Sequence, residues 1–267
     1  MTLWLGLVAL SGCRQGMRST ADVPPTVRED YDSLLAKVVT PDGYVDYDAL
    51  EADRGPLDAY IAFIGDPASW PGKSGRDWHG RFLNAYNALS MFQVLERDRP
   101  SSVQEPRGWL PRAGSRFFFE TAFLVRGEWL SLSEIEHERV RQLELDLRDH
   151  AALNCASMSC PPLRNELYAV RGADLRNQLT DQMHRWMRDE ARGVRIEDDV
   201  AVFNPIFDWF AGDFEFFSAG LDPCAIASQY SKGQRRDRLE SLSADGCPHR
   251  FFEYDWALND ASHQKDR

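Results

Sequence analysis

Cys155 and Cys160 stand with four residues between them in the stretch LNCASMSCPPL, residues 153–163, which a proline pair closes. Cysteines so placed serve as a thiolate nucleophile, as metal ligands, as a disulfide, or simply as buried small residues. A nucleophile needs an imidazole beside it, which lowers the thiol pKa and hands the proton to the leaving group. His137, in EIEHERVR, and His150, in LRDHAALNC, are the candidate bases, with Asn84 or Asp255 to orient the ring. Cys160 precedes Pro161, a residue favoured at the first helical position, so its sulfur would meet a helix N-terminus. Cys155 has Asn154 and Ser157 beside it. The residues alone do not choose between the two sulfurs.

Zinc would accept His137, His150, Cys155 and Cys160, but C-x4-C without a matched histidine pair is not a standard zinc spacing. No metal or other cofactor is expected. In an oxidising compartment the two cysteines would instead close a small disulfide loop before Pro161. His79, His184, His249 and His263 sit in polar surroundings and read as surface residues.

The compartment is set by the opening MTLWLGLVALSGC. Residues 3–10 are apolar but too few to span a bilayer, which takes ~20. They have the length of a secretory core and run into Leu10-Ser11-Gly12-Cys13, the pattern of a bacterial lipoprotein signal. Residues 1–12 are therefore expected to be removed and Cys13 lipidated. Residues 13–27 then form a polar flexible tether, and the chain is anchored by lipid outside the cytoplasm, where disulfides persist. A net charge of -11 repels phosphate backbones, so no nucleic-acid partner is expected.

The folded part must hold these residues in place. Tyr31, Leu34, Leu35 and Val38 recur at helical spacing. Asp48 starts a helix toward Phe63, and residues 76–95 give the strongest helix, with Phe82, Tyr86, Leu89 and Phe92 inside. Residues 117–132 read as a hairpin across Arg-Gly-Glu, followed by a helix capped at Ser133. Residues 174–187 form another amphipathic helix, 194–203 a second small hairpin, and RFFEYDWAL a closing strand. The fold class is α+β: a single helix-rich domain, residues 28–260, with a small antiparallel sheet, then a polar tail over 261–267.

Asn84 and Asn87, in FLNAYNAL, are amides on an apolar helix and need partners there. Together FLNAYNAL, SEIEHERVR, HAALNCASMSCPPL, WFAGDF and the closing YDWALN resemble, in order, the motifs of the DUF547 family. The likeness spans nearly all of the mature domain. Leu83 stands where the family has Trp-Ile or similar, and Asp149 and Ala151 replace apolar residues around His150, which shortens the strand expected there. Cys224 and Cys247 lie outside these motifs and read as a disulfide between the C-terminal segments.

The resemblance carries no assigned activity, so function rests on the site. The leading expectation is a binding or scaffolding module with a structural polar and cysteine cluster. Asn87, Asn154, Ser157 and Asp255 would line its cleft. The alternative is a Cys/His-dependent hydrolase or acyl transferase drawing on Cys155, Cys160, His137, His150 and Asn84. Either way, the cysteine stretch is expected to lie against the Asn84–Asn87 helix and His137.

Overall fold

The computed structural model describes residues 14–104, 116–142 and 146–266. The expected signal and the lipidation residue Cys13 lie outside them. Helix α1 (Val27–Val38) buries Tyr31, Leu34, Leu35 and Val38, the spacing read from the sequence. One helix was expected from Asp48 toward Phe63. There are two, α2 (Tyr47–Ala52) and α3 (Gly55–Gly65), because Pro56 fits the first turn of a helix and not its interior. The cap of α2 is Asp46, whose carboxylate accepts the Ala49 N–H at 2.9 Å.

Helix α4 (His79–Glu96) is the centre of the domain: every residue from Phe82 to Leu95 is buried. A helix enclosed on all sides presents no polar face to water, so its amides must find partners inside. Its N-terminal turn presses on the backbone of Ala169 and Val170. A Cβ on Gly80 would meet the Ala169 carbonyl oxygen at 1.9 Å, which only glycine avoids.

Strands β1 (Gln15–Met17), β2 (Thr121–Val125) and β3 (Glu128–Leu130) form one sheet in that order. The β2–β3 hairpin turns at Arg126 and Gly127, both with positive φ. It is shorter than expected, because Arg116–Glu120 coils into a wide helical turn that buries Phe117. Strand β1 pairs parallel to β2, and Arg14 bonds Glu134 at 2.8 Å. Residues 14–17 of the expected tether are thus seated on the domain.

The next helix is capped by Ser131 rather than Ser133. Ser131 and Glu134 exchange the two bonds of a capping box at the start of α5 (Leu132–Glu134). A wider helical segment, Ile135–Val140, continues it and carries Glu136 and His137.

After a single helical turn, α6 (Asp149–Ala152), the chain enters the cysteine stretch, then α7 (Gly172–Arg188). A second sheet follows: β4 (Val194–Glu197) and β5 (Val200–Phe203) form the expected hairpin, and β6 (His249–Phe251) joins β5 in parallel. The closing strand expected over 250–258 is paired regularly only at its start. Beyond Phe251 it is extended and makes isolated bridges, Ser102 to Ala257 and Ser157 to Leu258.

Helices α8 (Ile206–Trp209), α9 (Ala211–Phe217), α10 (Pro223–Gln229) and α11 (Gly233–Ala244) pack around this sheet. Cys224 and Cys247 are bonded there and fully enclosed. The α+β class holds, with two small mixed sheets in place of one antiparallel sheet. One apolar cluster surrounds α4, and a second surrounds Trp186, Phe203, Phe207 and Phe214.

Phe82 is 2% exposed and stacks beside Trp70 with ring centres 4.7 Å apart. Phe82→Ala should cost ~3–5 kcal/mol and lower the melting temperature accordingly. An unchanged melting temperature would contradict the placement of α4.

Candidate functional site

The cysteine stretch is irregular backbone inside the protein, which is unusual because carbonyls there have no water to meet. Buried side-chain amides from several elements take its carbonyls instead. Asn87, on α4, donates to Ala152 O at 2.9 Å and accepts the Asn154 N–H at 2.8 Å. Gln182, on α7, donates to Ala151 O and Pro162 O. Asn204 donates to Ser159 O, and Asn154 itself reaches across the loop to Pro161 O, each at 2.8 Å. Asn259 donates to Asn154 Oδ1 at 3.0 Å and accepts the Tyr47 hydroxyl, which ties the C-terminal segment and α2 to the same hub. Ala156 is held at a φ of 62, a left-handed conformation that costs a non-glycine residue roughly 1–2 kcal/mol.

So held, the loop forms one wall of a cleft of about 280 Å³. Cys155 and Cys160 face it and are bonded to each other; Cys155 is partly exposed and Cys160 is buried. Cys155 Sγ also lies 3.1 Å from the Ser157 hydroxyl and 3.4 Å from the Tyr254 hydroxyl. Opposite stand Tyr86, Glu136, His137 and His150, and the rest of the lining is mainly aromatic, including Phe118, Trp209, Phe210 and Trp256. Trp209 and Trp256 stack at 5.5 Å with 14° between their planes, and Tyr254 packs against both.

The polar side of the cleft is organised by Asp213 on α9. Its carboxylate accepts both Arg141 nitrogens, at 2.6 and 2.8 Å, and faces His150 Nε2 at 2.9 Å. Burial opposes its charge, but the bonds from His150 and Arg141 outweigh that and hold the carboxyl far below the usual range. Asp213 is therefore ionised, so Nε2 of His150 carries the proton; Nδ1 has no hydrogen-bond partner among the described residues. Arg141 also donates to His137 Nδ1, and arginine has no lone pair to offer in return. That contact engages Nδ1 and leaves Nε2 as the other polar atom of the His137 ring. Arg141 lies over Phe210, 4.6 Å from the ring centre, and His150 packs on Phe210 and Phe214.

His137, His150, Cys155 and Cys160 thus meet at one cleft. The sulfurs are committed to each other, and His137 and His150 to Arg141 and Asp213, so the four do not converge as zinc ligands. Asn84, read as an orienter of the imidazole, spends its amide on both backbone groups of Tyr168. Asn87 and Asn154 support the cleft from behind rather than lining it, and buried Ser157 bonds Tyr254 at 3.0 Å. Asp255 points away as well, its carboxylate accepting the Ala257 N–H. In an extended segment alternate residues share a face, so Tyr254 and Trp256 reach the cleft while Asp255 does not. The orienting acid is Asp213, 63 residues from His150 in sequence. His79, read as a surface residue, is buried against Asp149 at 2.8 Å, and burial raises the Asp149 carboxyl.

Residues 81–187 match the family described as "Protein of unknown function, DUF547". The matched stretch contains both histidines, the cysteine loop, Asn84 and Asn87, and ends before Asp213 and Tyr254. Comparison with curated proteins and with solved structures gave no match.

The Asp213 linkage has a defined sign. A lowered folded-state pKa contributes stability that is full above the unfolded carboxylate range and fades as pH falls toward the folded value. Asp213→Asn should therefore lose on the order of 2 kcal/mol at pH 7. The gap to the wild type should begin to shrink below about pH 4 in thermal melts. A gap independent of pH would show that the charge of Asp213 does not matter.

Proposed function

We propose, from the premise that the chain belongs through residues 81–187 to the DUF547 family, that its domain is a ligand-binding module, lipid-anchored at Cys13 outside the cytoplasm. The observation that carries this reading is the cleft of about 280 Å³, apolar in its walls and polar at one side. Binding sites for small molecules have this make-up: aromatic surface for contact area and a few fixed polar groups for orientation. The bonded cysteines and the amide-held loop keep the wall rigid, so little conformational freedom is lost when a ligand enters. Trp209 and Trp256 report on occupancy by fluorescence. A panel of neutral, anionic and cationic small molecules should contain members that quench the fluorescence saturably, and Trp256→Ala should abolish the response. A panel without one saturable member would overturn the reading.

A second reading is favoured by one arrangement. Cys155 and His150 wall the same cleft, and the imidazole nitrogen not facing Asp213 has no protein partner among the described residues. Once a dithiol reductant has cleaved the Cys155–Cys160 bond, His150 Nδ1 would take the Cys155 proton. The thiolate would then attack an acyl carbon, and the imidazolium would return the proton to the departing group. This is the chemistry of a hydrolase or acyl transferase. Iodoacetamide at pH 6 should then label Cys155 quickly after reduction, with labelling slowed at least about tenfold in His150→Ala. Equal rates in the two proteins would remove the thiol reading and leave the binding module.

A further inference from the structure

We infer that the cleft is built for an organic cation, an alkylammonium group, with Glu136 as its counter-charge; the inference rests on the ligand-binding reading. The other charged groups at the cleft are compensated. Arg141 and Asp213 neutralise each other through two hydrogen bonds, and His137 turns its Nδ1 to Arg141. Glu136 differs. Its carboxylate is half-buried in the wall and accepts one hydrogen bond, from the Tyr86 hydroxyl at 3.3 Å. No Lys, Arg or His lies within ion-pair distance of it among the described residues. A ligand that brings a positive charge would supply the partner this carboxylate lacks among the described residues.

The negative charge is felt across the cleft. Burial, then Glu136, raises the Tyr86 phenol, and Glu136 also adds to the burial that raises Tyr254. Both phenols therefore stay protonated donors and supply no second negative charge.

The remaining walls decide which kind of cation fits. A hard metal ion wants several oxygen ligands, and Glu136 with one phenol does not supply them. Trp209, Tyr254 and Trp256 instead line it with aromatic rings, whose quadrupoles attract ammonium groups without providing lone pairs. Phe210 already serves in this way for Arg141. The net charge of -11 adds a long-range field of the same sign, which draws cations and repels anions.

Choline chloride and its neutral isostere 3,3-dimethylbutan-1-ol, titrated at matched ionic strength against Trp209 and Trp256 fluorescence, test this directly. In the full folded protein choline should quench saturably and bind at least about tenfold tighter than the alcohol. Glu136→Gln, with circular dichroism unchanged, should weaken choline by about tenfold and leave the alcohol as it was. If the alcohol binds as tightly as choline and both are lost in Trp256→Ala, the cation assignment falls and the binding module stands. Choline affinity unchanged in Glu136→Gln also overturns the assignment. If neither compound saturates while other panel members do, the cation assignment fails alone; if nothing saturates, both readings fail.

Discussion

Everything about the cleft depends on how residues 151–163 are allowed to be irregular and buried at once. A helix or a strand satisfies its own carbonyls, whereas a turn inside a core does not, and each orphan carbonyl would cost about 1–3 kcal/mol. Here Asn87, Asn154, Gln182 and Asn204 do the work that water would do at a surface. Each is rooted in a different part of the chain, so the loop is fixed from several directions. This explains why a helix as apolar as α4 carries Asn84 and Asn87. Substituting apolar residues there would leave α4 well packed and its neighbouring segments unsatisfied.

The same rigidity sorts the polar groups into two sets. One set turns inward: the amides, His79 with Asp149, and Asn259 with Tyr47 find partners inside, although Oε1 of Gln182 and Oδ2 of Asp149 are buried with none. The other lines the cleft, and Nδ1 of His150, Nε2 of His137 and one Glu136 oxygen have no hydrogen-bond partner among the described residues. The two disulfides divide likewise. Cys224–Cys247 is enclosed in the second core, while Cys155–Cys160 forms part of the cleft wall.

Much of this was legible in the sequence where local rules decide. The α4 stripe, the 194–203 hairpin and the approach of the cysteine stretch to Asn87 and His137 all followed from periodicity or from polar residues stranded in apolar runs. Local rules failed where neighbours far along the chain took over. WFAGDF stands out as a motif, but nothing in it indicates that Asp213 meets Arg141 and His150. Asp255, offered beside Asn84 as the orienting group, alternates with Tyr254 and Trp256, which already argues for the opposite face. Ser133 stands nearer the apolar run, yet Ser131, three residues before Glu134, has the capping-box spacing. Strand β1 was hidden for another reason: a glutamine, a glycine and a single methionine carry no strand signal until β2 offers an edge.

The bonds that hold the cysteine loop are long in sequence. Asn87 reaches 65 residues to Ala152, Asn204 45 residues to Ser159, and Asn259 105 residues to Asn154. Contacts of such separation form late, after the loop-closure entropy of the intervening chain has been overcome. On a ribosome, the N-terminal helices α1 to α4 can pack while the cysteine loop still lacks Asn204, Tyr254, Trp256 and Asn259. The cleft therefore does not exist in the nascent chain. It comes into being when the last few dozen residues arrive, and until then Cys155 and Cys160 are exposed thiols in search of a partner. Cys155 and Cys160 are both made before Cys224 and Cys247, so when a thiol oxidant is present the first pair can close without competition from the second.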